Sequence, residues 1–165
     1  MDALALFGIS VLFSFTAWGV VTARYLWPKL RILPQRDALR SLLTLHAFRF
    51  VGLAFLVPGV VGPDLPAAFA RPAAYGDLVA TILALLALAV LATSWGPAVA
   101  WLFNLWGAAD LLYAFYQGLF RARLSPGSLG AGFFIPTVIV PLLLITHALM
   151  FRLLLQRPVS QTRRG

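Results

Sequence analysis

The sequence predicts an all-α integral membrane bundle of five transmembrane helices, forming a single domain over 1–165, and three observations carry that prediction. Hydrophobic residues make up 61% of the 165 positions and charged residues only 11%, with a mean hydropathy of +0.90. An ordinary soluble domain is about a quarter charged. The charges are gathered into short segments that separate long apolar runs. Those runs match a hydrocarbon core of about 30 Å, which takes roughly 20 residues at 1.5 Å each.

The first span is expected over about 3–27: Ala3 to Ala23 is free of charge, and Arg24, Tyr25 and Trp27 mark an interface. It lacks the basic n-region and small-residue cleavage site of a signal peptide, so a retained helix is expected. Lys29 to Leu33 alternates basic and apolar residues and reads as an interfacial segment. The second span, about 38–61, is apolar apart from Arg40, His46 and Arg49. A proline-rich loop over 62–76 follows, with room for a short helical turn at Ala67 to Ala70. The uncharged run from Leu78 to Ala109 is too long for one crossing. Ser94-Trp95-Gly96-Pro97 divides it, because Pro97 cannot continue a helix and Gly96 tolerates a turn. Spans three and four are therefore placed at about 76–93 and 98–120. A loop with Ser125-Pro126-Gly127 leads to span five, about 131–155, interrupted by Pro136 and Pro141.

Orientation follows from the cations. Arg24, Lys29, Arg31, Arg36 and Arg40 precede span two, and Arg152, Arg157, Arg163 and Arg164 follow the core of span five. With five spans these nine fall on one side, against Arg71, Arg121 and Arg123 on the other. The positive-inside rule then puts the N-terminus outside and the C-terminus in the cytoplasm. The expected location is a bacterial cytoplasmic (inner) membrane, with the lipid bilayer as the first partner. The net charge of +8 is thereby accounted for by topology. No nucleic-acid partner is expected, since that would need a basic face on a soluble surface.

The absence of cysteine excludes disulfides, thiolate metal sites, iron–sulfur clusters and covalently attached haem. No phosphate loop, metalloprotease spacing or nucleophile elbow occurs, and Asp110 is read as the sole acid within a span, so paired-carboxylate chemistry has no support. The balance is against an enzyme.

Ionisable side chains inside a span cost about 2.5–3.5 kcal/mol on insertion scales and mark candidate functional sites. Depth counting places Arg49 and Asp110 at the midplane, with His46, Asn104 and His147 together slightly toward the cytoplasm. His46 and Arg49, three residues apart, share a helix face. In span four, Trp106, Asp110, Tyr113 and Gln117 make a polar-aromatic stripe, which is expected to turn inward toward Arg49.

Three roles are open to these residues. His46 and His147 have the chemistry of axial ligands for one haem b, with Arg49 pairing a propionate. Alternatively, Asn104, Trp106, Asp110, Tyr113 and Gln117 join them in a ligand pocket or in the path of a proton- or anion-coupled transporter. The third role is a non-catalytic accessory subunit, in a homo-oligomer or larger membrane complex, with Gly107-Ala108-Ala109 and Gly130-Ala131-Gly132 permitting close helix packing. Plain structural roles stand beside all three. Arg49 and Asp110 suit an interhelical clamp, Asn104 an interhelical hydrogen bond, and either histidine a donor to a carbonyl freed by Pro141.

Overall fold

The computed structural model describes residues 2–156, so Arg157, Arg163 and Arg164 of the orientation argument lie outside the described residues. Among the described residues the chain is helical and has no strand, only an isolated bridge between Pro58 and Val61. Five helices are long and apolar enough to cross a membrane: α1 (Ala3–Leu30), α2 (Gln35–Leu56), α3 (Ala67–Val90), α4 (Gly96–Arg121) and α5 (Ile135–Leu154).

The expected count of five holds, while several boundaries shift, two of them by five residues or more. The second span stops at Leu56 instead of 61, and the third starts at Ala67 instead of 76. The prolines of the preceding segment do not hold it open as a loop. Pro66 caps α3, and Pro72 lies inside it, where neighbouring membrane helices accommodate the missing hydrogen bond. At the other end, Gly96 opens α4, and its need for glycine is spatial: a Cβ there would come within 2.6 Å of the Leu91 carbonyl oxygen.

Helix α3 is central because its inward face is made of small residues. Ala70, Ala73, Ala74, Ala80, Ala84 and Ala87 are all buried, at helical spacing, which lets neighbouring backbones approach closely. It packs along both halves of α2, most extensively the second, and along α4, while α5 packs on α4, α1 and the first half of α2. Helix α1 is peripheral, with Phe7 its buried residue before the terminal turns. Its Trp18 indole donates to the Val138 carbonyl of α5 at 3.0 Å.

Helix α2 changes character at its middle. It is α-helical from Gln35 to His46 and a 3-10 helix from Ala47 to Leu56. Three residues per turn bring every third side chain into one row, and His46, Arg49, Gly52 and Phe55 are the buried residues of that row. The amphipathic spacing of an ordinary helix would spread them around the surface.

The connections pair by side. The α2–α3 and α4–α5 connections are tied at one end by Gly62 N–H to Ser128 O and Ala131 N–H to Val60 O, both 2.8 Å. Gly130 has φ +53° and sits so close to Val60 O that a Cβ would clash. At the opposite end Arg36 donates to the Ala92 carbonyl, and the Arg152 guanidinium lies 4.0 Å from the Trp27 ring centroid.

Packing divides into two apolar layers. One gathers Leu39, Leu42, Leu43, Ala84, Phe103, Met150 and Leu153 toward the Arg36 end. The other gathers Phe55, Phe69, Ala73, Leu111, Leu129, Ile135 and Leu143 toward the Ser128 end. His46, Arg49, Asp77, Asn104, Thr146 and His147, buried on α2 to α5, fall between these layers, whereas the buried Thr81 and Thr137 lie within them.

Candidate functional site

Arg49 is the centre of that polar layer and is 1% exposed. Its guanidinium reaches three helices. Nε donates to Asp77 Oδ1 at 2.7 Å, and Nη2 lies 2.7 Å from the same oxygen. Nη2 also donates to Asp110 Oδ2 at 2.7 Å. Nη1 donates to the Gly107 carbonyl at 3.0 Å and meets His147 Nε2 at 3.3 Å. These five contacts match the five N–H groups of a guanidinium.

The neighbours fix the state of His147. Its Nδ1 lies 2.7 Å from Asn104 Oδ1, which only accepts, so the proton sits on Nδ1. Nε2 is left as a lone pair, turned to the Arg49 donor. Asn104 closes the arrangement by donating to the His147 carbonyl at 3.3 Å. His46 is anchored differently. Its Nε2 is 3.0 Å from Thr146 Oγ1, whose own proton goes to the Leu142 or Leu143 carbonyl. His46 therefore donates from Nε2, and its buried Nδ1 has no partner. Neither histidine takes the carbonyl expected from Pro141.

Glycine makes the layer geometrically attainable. A Cβ on Gly52 would fall on the Asp77 carboxylate, and one on Gly76 on the Asp110 carboxylate. At Gly107 it would lie 2.7 Å from Arg49 Nη1 and 2.6 Å from His147 Cε1. One glycine from each of α2, α3 and α4 thus leaves the volume that the charged groups occupy.

Of the residues singled out in the sequence, the structure brings together His46, Arg49, Asn104, Asp110 and His147. It does not bring Trp106, Tyr113 and Gln117 among them. Trp106 and Tyr113 are about half exposed, and Gln117 donates to the Tyr113 hydroxyl at 2.7 Å on the outer surface. The inward face of α4 is instead Ala100, Phe103, Asn104, Gly107 and Leu111. Small Gly107 sets that face, because only there does the backbone come close enough to receive Arg49. Asp110, three residues on, is at its edge.

Asp77 is the functional residue that the sequence reading missed, together with the Gly107 carbonyl and Thr146. With span three begun at 76, Asp77 falls at its very start and is passed over, and Asp110 is read as the sole intramembrane acid. With α3 begun at Ala67, Asp77 lies ten residues inside the helix, 7% exposed. The signal was the alanine period, which runs unbroken through Asp77 from Ala70 to Ala87.

The two imidazoles do not fit as axial ligands of one haem. Their ring centroids are 4.2 Å apart, tighter than the 4.5–7 Å of ordinary aromatic pairs, which leaves no slab for a porphyrin. Both nitrogens of His147 are committed, and all three guanidinium nitrogens of Arg49 are engaged within the layer.

Beside the carboxylates lies a cavity of about 60 Å³. Phe7, Phe55, Phe69 and Phe115 wall it, Pro126 and Leu129 cover it, and Asp77 and Asp110 form its polar end.

Fold and site together define a small polytopic helix bundle with a buried ionic layer across four of its five helices. Residues 6–155 match the family described as Domain of unknown function (DUF8737), and the chain belongs to that family. No curated protein and no solved structure matches it.

Proposed function

We propose that the chain is a proton-coupled membrane transport protein whose Arg49–Asp77–Asp110 layer takes up and releases one proton. The observation that carries this reading is the charge count. One guanidinium faces two carboxylates, and His147 is held neutral by its hydrogen bonds, so a fully ionised layer has one negative charge too many. An uncompensated charge between two apolar layers is costly. A proton is the smallest species that removes it, and the cavity beside Asp77 and Asp110 gives a place for it to arrive. With the N-terminus outside, that cavity lies in the outer half of the membrane.

Infrared spectra of the protein in lipid test this reading. The expected result in neutral buffer is the C=O stretch of a protonated carboxyl, lost in both Asp77→Asn and Asp110→Asn, because either change restores neutrality. A spectrum without that band would remove the proton reading.

The accessory-subunit role keeps one specific support. Trp106, Tyr113, Tyr116 and Gln117 place polar atoms on the outward face of α4, where another membrane helix would offer them partners. Purification of the chain only together with other chains would favour it.

A further inference from the structure

We propose that the cavity beside Asp77 and Asp110 is a binding site for a small organic ammonium ion, which displaces the proton of the ionic layer. The inference rests on the proton reading and names the solute class that shares its site. Three features single out a monocation. The ionised layer carries one excess negative charge, so a single positive charge neutralises it as completely as a proton does. Every hydrogen bond to the two carboxylates goes to Oδ1 of Asp77 and Oδ2 of Asp110, which leaves Asp77 Oδ2 and Asp110 Oδ1 without a donor among the described residues. Asp77 and Asp110 both line the cavity and form its polar end, with Asp77 Oδ2 packed against Gly52 and Asp110 Oδ1 against Gly76.

The walls then distinguish an organic ammonium from a bare metal ion. Phe7, Phe55, Phe69 and Phe115 line the cavity and offer apolar surface to the alkyl part. They offer no oxygen ligands, and no group of three metal-ligating side chains occurs among the described residues. Size sets the limit on the alkyl part. A dry cavity of about 150 Å³ accommodates benzene, or ~25 Å³ per non-hydrogen atom. The 60 Å³ here therefore takes about two or three such atoms, as in methylammonium or ethylammonium.

The exchange balances in charge and protons. In the resting layer one carboxyl is neutral; the entering ammonium takes its place as the compensating charge, and the carboxyl proton leaves to solvent. Around the carboxylates the charged or titratable groups are Arg49 from α2 and His147 from α5, while α1 contributes only Leu4 and Phe7 to the cavity. Arg49 cannot give up a proton, so the released proton is the carboxyl's.

Proton release measures the exchange directly. Full-length protein in detergent, weakly buffered with an indicator dye, is mixed with methylammonium chloride at a pH where the carboxyl band is present. The expected result is saturable release of one proton per chain, with apparent affinity about tenfold weaker for each pH unit below the site's midpoint. Methanol, a neutral molecule of similar size, and the oversized tetramethylammonium ion should release none. Asp110→Asn, with its layer already neutral, should also release none. A carboxyl band with no release on adding methylammonium would overturn the ammonium site and leave the proton reading standing. Absence of the band itself would remove that reading as well. Equal release by sodium chloride would overturn the assignment to an organic cation, and equal release by methanol would overturn charge recognition altogether.

Discussion

At the scale of residues, the layer joins groups whose energetics depend on one another, and the charge count gives their variants an unusual order. Asp77→Asn or Asp110→Asn leaves Arg49 with one ionised partner and one neutral acceptor, so the layer becomes neutral with its hydrogen bonds retained. Each single variant is expected to keep the folded stability of the parent within about 1 kcal/mol. The double variant strands the guanidinium in the core, and removing the partner of a buried ion costs about 3–5 kcal/mol. Arg49→Gln is expected to lose a similar amount, since it leaves two carboxylates 9% and 12% exposed without their cation. Arg49→Lys rescues little, because an ammonium has three donors and no planar fork for acceptors on three helices. Thermal unfolding of the five purified variants beside the parent in detergent checks this order. Two single substitutions that each cost as much as the double one would show that both carboxylates are needed in ionised form.

At the scale of elements, the 3-10 half of α2 explains why the site was only half legible in the sequence. The pair His46 and Arg49, three residues apart, reads as one face in any helix. Gly52 and Phe55 join that face only at three residues per turn. Nothing in the local composition of Ala47–Leu56 demands that pitch, since it is apolar apart from Arg49 and uninterrupted by proline. What holds it is tertiary. Gly52 passes over the Asp77 carboxylate, and Arg49 must reach α3, α4 and α5 from the same row. The same blindness to partners misdirected α4. Its stripe of Trp106, Tyr113 and Gln117 looked like the face to bury, yet closeness of approach favoured the poorer-looking face with Gly107. Gly52→Ala tests the tertiary account. Added volume at a filled site costs about 1–3 kcal/mol, and here the obstacle is one named side chain. The expected penalty is therefore smaller in an Asp77→Ala background, where the carboxylate is gone, as read by a double-mutant cycle of unfolding free energies. Additive losses would place the pressure on Gly52 elsewhere.

At the scale of the molecule, the five-span count and the pairing of loops were readable from the charge pattern together with the Gly96-Pro97 turn that divides the uncharged run 78–109, because hydrocarbon excludes charge whatever the packing. The two ends in the structure agree with that count. The segment 57–66 and the segment 122–134 meet through backbone hydrogen bonds at one end, and Arg36, Ala92, Trp27 and Arg152 meet at the other. Which end faces the cytoplasm rests on the cation bias, and the proton reading depends on it, since the cavity opens the layer toward the Ser128 end. The absence of cysteine makes the orientation directly testable, because any single introduced thiol is the only one in the chain. Asp64→Cys and Ser125→Cys sit at exposed positions of one end, and Arg31→Cys and Ser94→Cys at exposed positions of the other. In intact cells a membrane-impermeant maleimide is expected to label the first two and spare the second two until the membrane is opened. The reverse pattern would invert the topology and turn the cavity toward the cytoplasm, so that the proton would enter the layer from inside. Labelling of one position from each pair would break the pairing of the loops and, with it, the five-span count.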